Sequence, residues 1–269
     1  MAFATVERRR DERRIENEFI RISDGRLRCL ASGLQHLLLE VLLMAEPFLN
    51  RREAGRDLAS HLRHYGGRDD VIVLALPRGG VPVGFEVAER LGAPLDVFLV
   101  RKLGVPGHEE LAMGAIASGG VRVLNEHVVR MLGISPSDID EVAALEQAEL
   151  ERREREYRGE RAQPDMREKV CILVDDGLAT GATMRAAAEA LRRLGPAKVV
   201  VAVPAAAAET CEEFRHEVDE IVCAQTPEPF IAVGAWYVDF SPTSDEEVRE
   251  LLVRAQRRKG MSGIKQTVA

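Results

Sequence analysis

Buried strands alternating with helices predict an α/β fold for this chain, with a mostly parallel, twisted sheet and helices on both faces. Three observations carry that expectation. The run Val71-Ile72-Val73-Leu74-Ala75-Leu76 is continuously apolar, as a strand covered on both faces must be. Val170-Cys171-Ile172-Leu173-Val174 repeats the pattern about a hundred residues later and ends in two adjacent acids. Between and after these runs, segments of helical periodicity start at proline or serine and stop at glycine.

The elements follow in chain order. Residues 1–46 differ from the rest, with a dense mixed-charge run at 7–14 and a short apolar helix candidate at 34–45. They are expected to form a loosely attached extension, or, for residues 1–43, to reflect an upstream misreading of the start codon. Organised sequence begins near Pro47. Residues 51–64 read as a helix with Ala54, Leu58, Ala59 and Leu62 on one face. The first strand is broken by Gly79-Gly80, and a helix over 83–91 stops at Gly92 and Pro94. Residues 95–100 read as the second strand, followed by a glycine-rich loop at 104–107. Short strands at 112–117 and 121–124 are joined through Gly119-Gly120 as a hairpin.

Ser135-Pro136-Ser137-Asp138 is a helix start, with a serine cap, proline at the first position and an acid at the third. That helix is expected to run to about Arg158, its second half solvated and laced by Glu149–Arg153, Glu151–Arg155 and Glu154–Arg158 at i,i+4 spacing. It belongs to a helical insert over about 125–169. Strand 170–174, helix 182–194, strand 198–203, helix 209–216 and strand 220–224 then alternate. The aromatic cluster Trp236, Tyr237 and Phe240 precedes a closing helix over 245–257, capped by Ser244. The expected organisation is an extension at 1–46, one domain at 47–258 and a tail at 259–269.

Composition bounds the function. The chain has 269 residues, of which 46% are apolar, enough for a substantial core. Its 37 basic and 44 acidic residues leave a net charge of -7, which argues against nucleic acid as a partner. The longest apolar run, at 37–45, is short and carries Glu40, so no membrane span is expected. The charged stretch at 7–18 does not resemble a secretory signal. Cys29, Cys171, Cys211 and Cys223 show no metal-ligand spacing and read as reduced thiols of a cytoplasmic protein.

The chemistry concentrates at Val174-Asp175-Asp176-Gly177-Leu178-Ala179-Thr180-Gly181-Ala182-Thr183. Ligands of open α/β sheets bind at the carboxyl ends of strands, and here that end carries two acids. The turn beyond them offers main-chain N–H groups, two hydroxyls and a helix N-terminus, a cradle for a phosphate dianion. No Gly-Lys-Ser/Thr follows, so it is not a Walker loop, and Gly79-Gly80-Val81-Pro82-Val83-Gly84 lacks dinucleotide spacing.

At these residues the chain resembles the type I phosphoribosyltransferases. Their signature is an apolar strand, two acids, two mostly apolar positions and an Ala-Thr-Gly-x-Thr loop. Gly177 departs from it, standing where a bulkier apolar residue is usual, which is expected to loosen the turn. The resemblance implies that Asp175 and Asp176 bind the ribose hydroxyls of phosphoribosyl pyrophosphate, directly or around Mg²⁺. It implies that Ala179, Thr180, Gly181, Ala182 and Thr183 hold the 5-phosphate. Hypoxanthine-guanine enzymes are similar but have an acid where Ala179 stands, so this chain looks more like adenine or orotate enzymes.

Two further segments fit the same resemblance. Arg78, Gly79 and Gly80 follow the first strand, where the family has its pyrophosphate loop; glycines permit unusual dihedrals there and expose N–H groups. Arg101, Lys102 and the residues up to Glu110 correspond in position to the family's mobile loop, with Arg101 and Lys102 able to neutralise pyrophosphate. Among His108, Glu109 and Glu110, Glu109 is the candidate acid/base. Over residues 47–257 the pattern is similar to a bacterial group of phosphoribosyltransferases with an unassigned acceptor. The implied reaction is phosphoribosyl transfer to a small nitrogenous acceptor, in the setting of nucleotide metabolism. The insert at 125–169 and the aromatic cluster are candidates for the substrate-selecting hood, and a homodimer is the family's habit. The alternative is a non-catalytic regulator binding phosphoribosyl pyrophosphate or a nucleotide through the same fold.

Overall fold

A computed structural model describes residues 46–265 of the chain. The expected extension (Glu46 apart), its apolar helix candidate, the misread-start reading and Cys29 lie outside the described residues.

Two sheets organise the chain. The main sheet contains β1 Val71–Ala75, β2 Leu95–Val97, β6 Val170–Val174, β7 Lys198–Ala205 and β8 Glu220–Gln225, in the order β2-β1-β6-β7-β8. Every pairing in it is parallel. A second, antiparallel sheet holds β3 Val100–Val105, β4 His108–Ala117 and β5 Val121–Leu124 in sequence order. The helices are α1 Arg51–His61, α2 Gly80–Leu91, α3 Glu126–Leu132, α4 Pro136–Arg158, α5 Ala182–Arg192, α6 Ala208–Phe214 and α7 Asp245–Lys265.

The central strands sort their side chains by a period of two. Val71, Val73 and Ala75 of β1 enter one core with Leu58 of α1, Phe85 of α2, Leu150 of α4 and Leu251 of α7. Ile72 and Leu74 enter the other, with Leu191 of α5 and Phe214 of α6. The helices therefore cover both faces, as expected for a sheet whose strands read as unbroken apolar runs.

Four expectations change. The glycine-rich segment after the second strand is not an open loop: Val105 pairs with His108, and residues 100–117 form the β3–β4 hairpin. The second strand stops at Val97, and the chain then crosses to the smaller sheet. The closing helix continues to Lys265, into the stretch read as a tail. Cys211 and Cys223 form a disulfide, so only Cys171 is a free thiol among the described residues. The pairing was invisible because twelve residues and a change from helix to strand separate the two cysteines.

Helix α4 begins as read, with the Ser135–Asp138 capping box and Pro136 in the first turn. All three i,i+4 pairs are present. Arg158, however, turns inward: it donates to both carboxylate oxygens of buried Asp96 at 3.1 and 3.0 Å and to the Val97 carbonyl at 2.7 Å. Burial pushes the Asp96 carboxyl above its ordinary value, against the pull of Arg158.

Candidate active site

The order β2-β1-β6 sets the position of the site. From β1 the chain crosses to β2 on one side, while β6 joins the other, so the strand order, though not the strand direction, reverses between β1 and β6. Crevices at such reversals, beyond the carboxyl ends of the strands, are where open α/β sheets take ligands. Ala75 pairs with Val174, and the Leu76 N–H donates to the Val174 carbonyl at 2.9 Å. The turn after β1 and the two acids after β6 thus emerge side by side.

That turn is Pro77-Arg78-Gly79-Gly80, with a cis peptide between Pro77 and Arg78. Gly79 has ordinary helical dihedrals, φ -60° and ψ -33°, so conformational freedom does not explain it. Proximity does. A Cβ on Gly79 would lie 2.0 Å from Asp176 Oδ2, and one on Gly80 would lie 2.6 Å from the Val174 carbonyl and 2.9 Å from Asp175 Cα. The glycines are glycines because the acids pack against them.

The acids are held differently. Asp175 Oδ1 accepts from the Asp176 N–H at 2.8 Å. Asp176 Oδ2 accepts from Arg51 Nε at 2.9 Å, and its main-chain carbonyl accepts from the Tyr237 hydroxyl at 2.5 Å. Burial raises both carboxyls. The adjacent Asp176 charge drives Asp175 further up, while Arg51 draws Asp176 back down. Such a pair is short of positive charge and of hydrogen-bond donors.

Beyond the acids, the chain crosses to the end of β7: Leu178 donates to the Ala205 carbonyl, and Ala207 donates to that of Leu178. Gly177 does not loosen this turn. The space for a side chain is filled by Val233, whose Cγ1 would lie 2.4 Å from an added Cβ. Gly181 has φ +73°, and a Cβ there would meet the Phe214 ring at 2.5 Å. Helices α6 and α5 hold the loop from behind. Thr210 donates to the Ala179 carbonyl at 2.6 Å, and Arg185 donates to the Thr180 carbonyl at 2.7 Å. Ala179, Thr180, Ala182 and Thr183 are exposed on the open side. First-turn amides of a helix have no intrahelical acceptor, so this rim can receive an anion.

A match to the phosphoribosyl transferase domain spans residues 48–238. The chain belongs to the phosphoribosyl transferase family. It is similar to a Mycobacterium tuberculosis protein, named "Putative phosphoribosyl transferase" in both strains CDC 1551 / Oshkosh and ATCC 25618 / H37Rv, with 48% identity over 210 residues. That similarity covers 78% of this chain and 47% of the relatives, so the chain spans about half the length of the curated proteins it matches. The crystal structure of TT1426 from Thermus thermophilus is similar at 43% identity and a TM-score of 0.69, covering 77% of this chain and 98% of that one.

Within this phosphoribosyl transferase fold, the residues singled out from the sequence do not all converge. Asp175, Asp176, Gly79, Gly80 and the loop 179–183 share the end of the main sheet. Arg78 sits at the rim, half exposed, with Nη1 3.9 Å from Asp245. Neighbouring residues on a strand face opposite ways, yet Arg101 and Lys102 of β3 both border a hollow against α4. Arg101 is engaged by Glu146 of α4. Lys102, close to Glu110, lines a cavity of about 360 Å³ that it shares with Ala182 and Thr183. Glu109 accepts from the Gly107 N–H and faces the hollow against α4. Of the hairpin residues singled out, Lys102 therefore lies beside the loop 179–183.

Sequence reasoning missed Arg51, Thr210 and Phe214. Nothing local to them marks a site; their partners lie 125 residues away for Arg51 and 31 for Thr210. Tyr237 was singled out as a hood aromatic. Its hydroxyl braces Asp176, and its ring lies 5.9 Å from that of Phe48 and 5.1 Å from that of Phe240.

Proposed function

We propose that the chain transfers the 5-phosphoribosyl group of phosphoribosyl pyrophosphate to a small nitrogenous acceptor and releases pyrophosphate, as a cytoplasmic enzyme of nucleotide metabolism. The observation that supports this best is the in-register pairing of β1 with β6, which sets Gly79 and Gly80 against Asp176 and Asp175. A sugar carrying phosphate at one end and pyrophosphate at the other, the ligand the family implies, suits two carboxylates beside two separate anion sites. In this reading the amides and hydroxyls of 179–183 hold the 5-phosphate, Asp175 and Asp176 take the ribose 2- and 3-hydroxyls, and Arg78, Gly79 and Gly80 take the pyrophosphate.

The bond from C1 to the pyrophosphate oxygen breaks as the acceptor nitrogen adds its lone pair to C1 from the opposite face. The electron pair of the broken bond leaves with pyrophosphate, and the nitrogen's proton passes to a base or to water. Fixing both ends of the sugar aligns this displacement, and preorganised donors stabilise the departing charge.

The residues fit Mg²⁺. Asp175 offers hard carboxylate oxygens and has no ion pair among the described residues. No cluster of three or more metal-ligating side chains occurs among the described residues, so Asp175 and Asp176 would hold the ion together with ligand oxygens. Bound there, Mg²⁺ supplies charge neutralisation at the pyrophosphate. Ala179 offers no acid to a purine ring, and the proposed acceptor is accordingly not a 6-oxopurine.

A pyrophosphate-release assay with Mg²⁺ across purine, pyrimidine and other nitrogenous bases tests the proposal. Turnover with one of them, lost when Asp175 and Asp176 are both replaced by Asn, is the expected result. Activity surviving that double replacement would remove the site. Tight binding of phosphoribosyl pyrophosphate with no turnover on any base would make the protein a regulator.

A further inference from the structure

Arg51 is more strongly held than a surface arginine has reason to be. It is the first residue of α1, whose cap, Asn50, accepts from the N–H groups of Arg52 and Glu53 at 3.0 and 3.1 Å. Its guanidinium reaches away from its own helix. Nε donates to Asp176 Oδ2 at 2.9 Å and Nη1 to the Ser241 carbonyl at 2.8 Å. The guanidinium carbon lies 4.0 Å from the centre of the Phe240 ring. The side chain is 11% exposed. Tyr237, from the same segment as Phe240 and Ser241, donates to the Asp176 carbonyl. Asp176 is thus gripped at carboxylate and main chain by residues from the two ends of the domain. Asp175, its neighbour, has no cation paired with it among the described residues.

We propose that Arg51 is a positioning residue: it fixes the Asp176 carboxylate for a ribose hydroxyl and balances its charge. The inference rests on the reading of that ligand as a ribose phosphate. Two unpaired carboxylates at adjacent positions would repel one another at short range. One carboxylate neutralised through Oδ2 keeps Oδ1 as an acceptor for a hydroxyl without that repulsion. A single Arg suits the task because its fork binds a carboxylate and a carbonyl at once while its face stacks on a ring, which lysine cannot do.

Calorimetric titration of the full chain with inorganic phosphate and with ribose 5-phosphate separates positioning from mere support. Phosphate reads the anion sites, the loop 179–183 and the turn 78–80; ribose 5-phosphate reads the acids as well. Arg51→Met is expected to leave phosphate affinity within about twofold, since the loop 179–183 is held by Thr210 and Arg185 and shares no partner with Arg51. It is expected to weaken ribose 5-phosphate by about tenfold or more, the loss typical of a charge-assisted hydrogen bond. Arg51→Lys recovers part of that loss. Tyr237→Phe, which keeps the ring, shifts the same ratio in the same direction, and the two milder variants carry the test if Arg51→Met does not fold. Equal affinity of wild type and variants for ribose 5-phosphate overturns the inference. So does a proportionate fall for both ligands, which would mean general damage. If the wild type binds phosphate but gains nothing from the ribose, it is the reading of the ligand that fails first.

Discussion

At the scale of single residues, the site depends on where a side chain is missing. Gly79→Ala would drive a methyl group to within 2.0 Å of Asp176 Oδ2, so the carboxylate must yield. A displacement of about 1 Å at reacting groups costs ~100-fold in turnover. Steady-state pyrophosphate release is expected to show that loss for Gly79→Ala; wild-type turnover in a folded variant would contradict it. The cysteines give a second prediction. Burial pushes the Cys171 thiol up to about 12, so it stays protonated at pH 8. Alkylation of the folded protein at that pH is expected to leave Cys171, Cys211 and Cys223 unlabelled, the last two reacting after reduction. Label on Cys211 without reductant would refute the bond to Cys223. The acids, glycines and threonines at the site were legible in the sequence because one strand end and the turn after it contain them. The glycine at 79 was legible for a reason that differs from the actual one: it answers to a carboxylate 97 positions on, not to its own dihedrals.

At the scale of elements, α4 shows how a pattern can be read correctly and incompletely. Its cap and its i,i+4 ladder are local, and both were visible. The burial of Arg158 depends on Asp96, 62 residues earlier, and was not. Removing one partner of a buried ion pair costs about 3–5 kcal/mol, because the other charge is stranded. Arg158→Met is expected to lose stability on that order in urea denaturation, whereas replacing Asp96 as well with an apolar residue recovers much of it. The pH dependence has a definite sign. Burial already raises the Asp96 carboxyl, and the variant lacks the arginine that opposed it. The folded variant then holds a proton that the unfolded chain releases above the ordinary carboxylate range. Its stability falls as pH rises from 4 to 7, so the deficit against wild type is smaller at pH 4. A deficit that grows toward acid would show that Asp96 stays ionised. The β3–β4 hairpin was misread because Gly104 and Gly107 look like hinges. Gly107, at φ +76°, turns the hairpin, and a Cβ on Gly104 would strike the Glu109 main chain across it at 2.8 Å.

At the scale of the whole molecule, the alternation of strands and helices foretold a parallel sheet, but not the order β2-β1-β6-β7-β8. That order follows from which apolar faces meet, and it is what brings two distant turns together at one edge. Cooperative opening should follow the same layout. Amides of the fully buried strands β1 and β6 are expected to exchange with solvent slowest, and those at the exposed tip of the β3–β4 hairpin, Pro106 aside, fastest. Hydrogen-exchange mass spectrometry reads this directly; rapid exchange in β6 would contradict the assignment of the core. The clamp on Asp176 has a consequence in time as well as in space. Ser241 follows Arg51 by 190 positions. A ribosome that has made the turns 77–80 and 177–181 has still not made Tyr237, Phe240 and Ser241, so the nascent chain carries its two acids without the grip that orders them. In the proposed reading the sugar site is finished only as the last part of the domain leaves the ribosome, and a chain cut short before residue 237 would lack both that grip and α7, whose Leu251 packs into the core against β1.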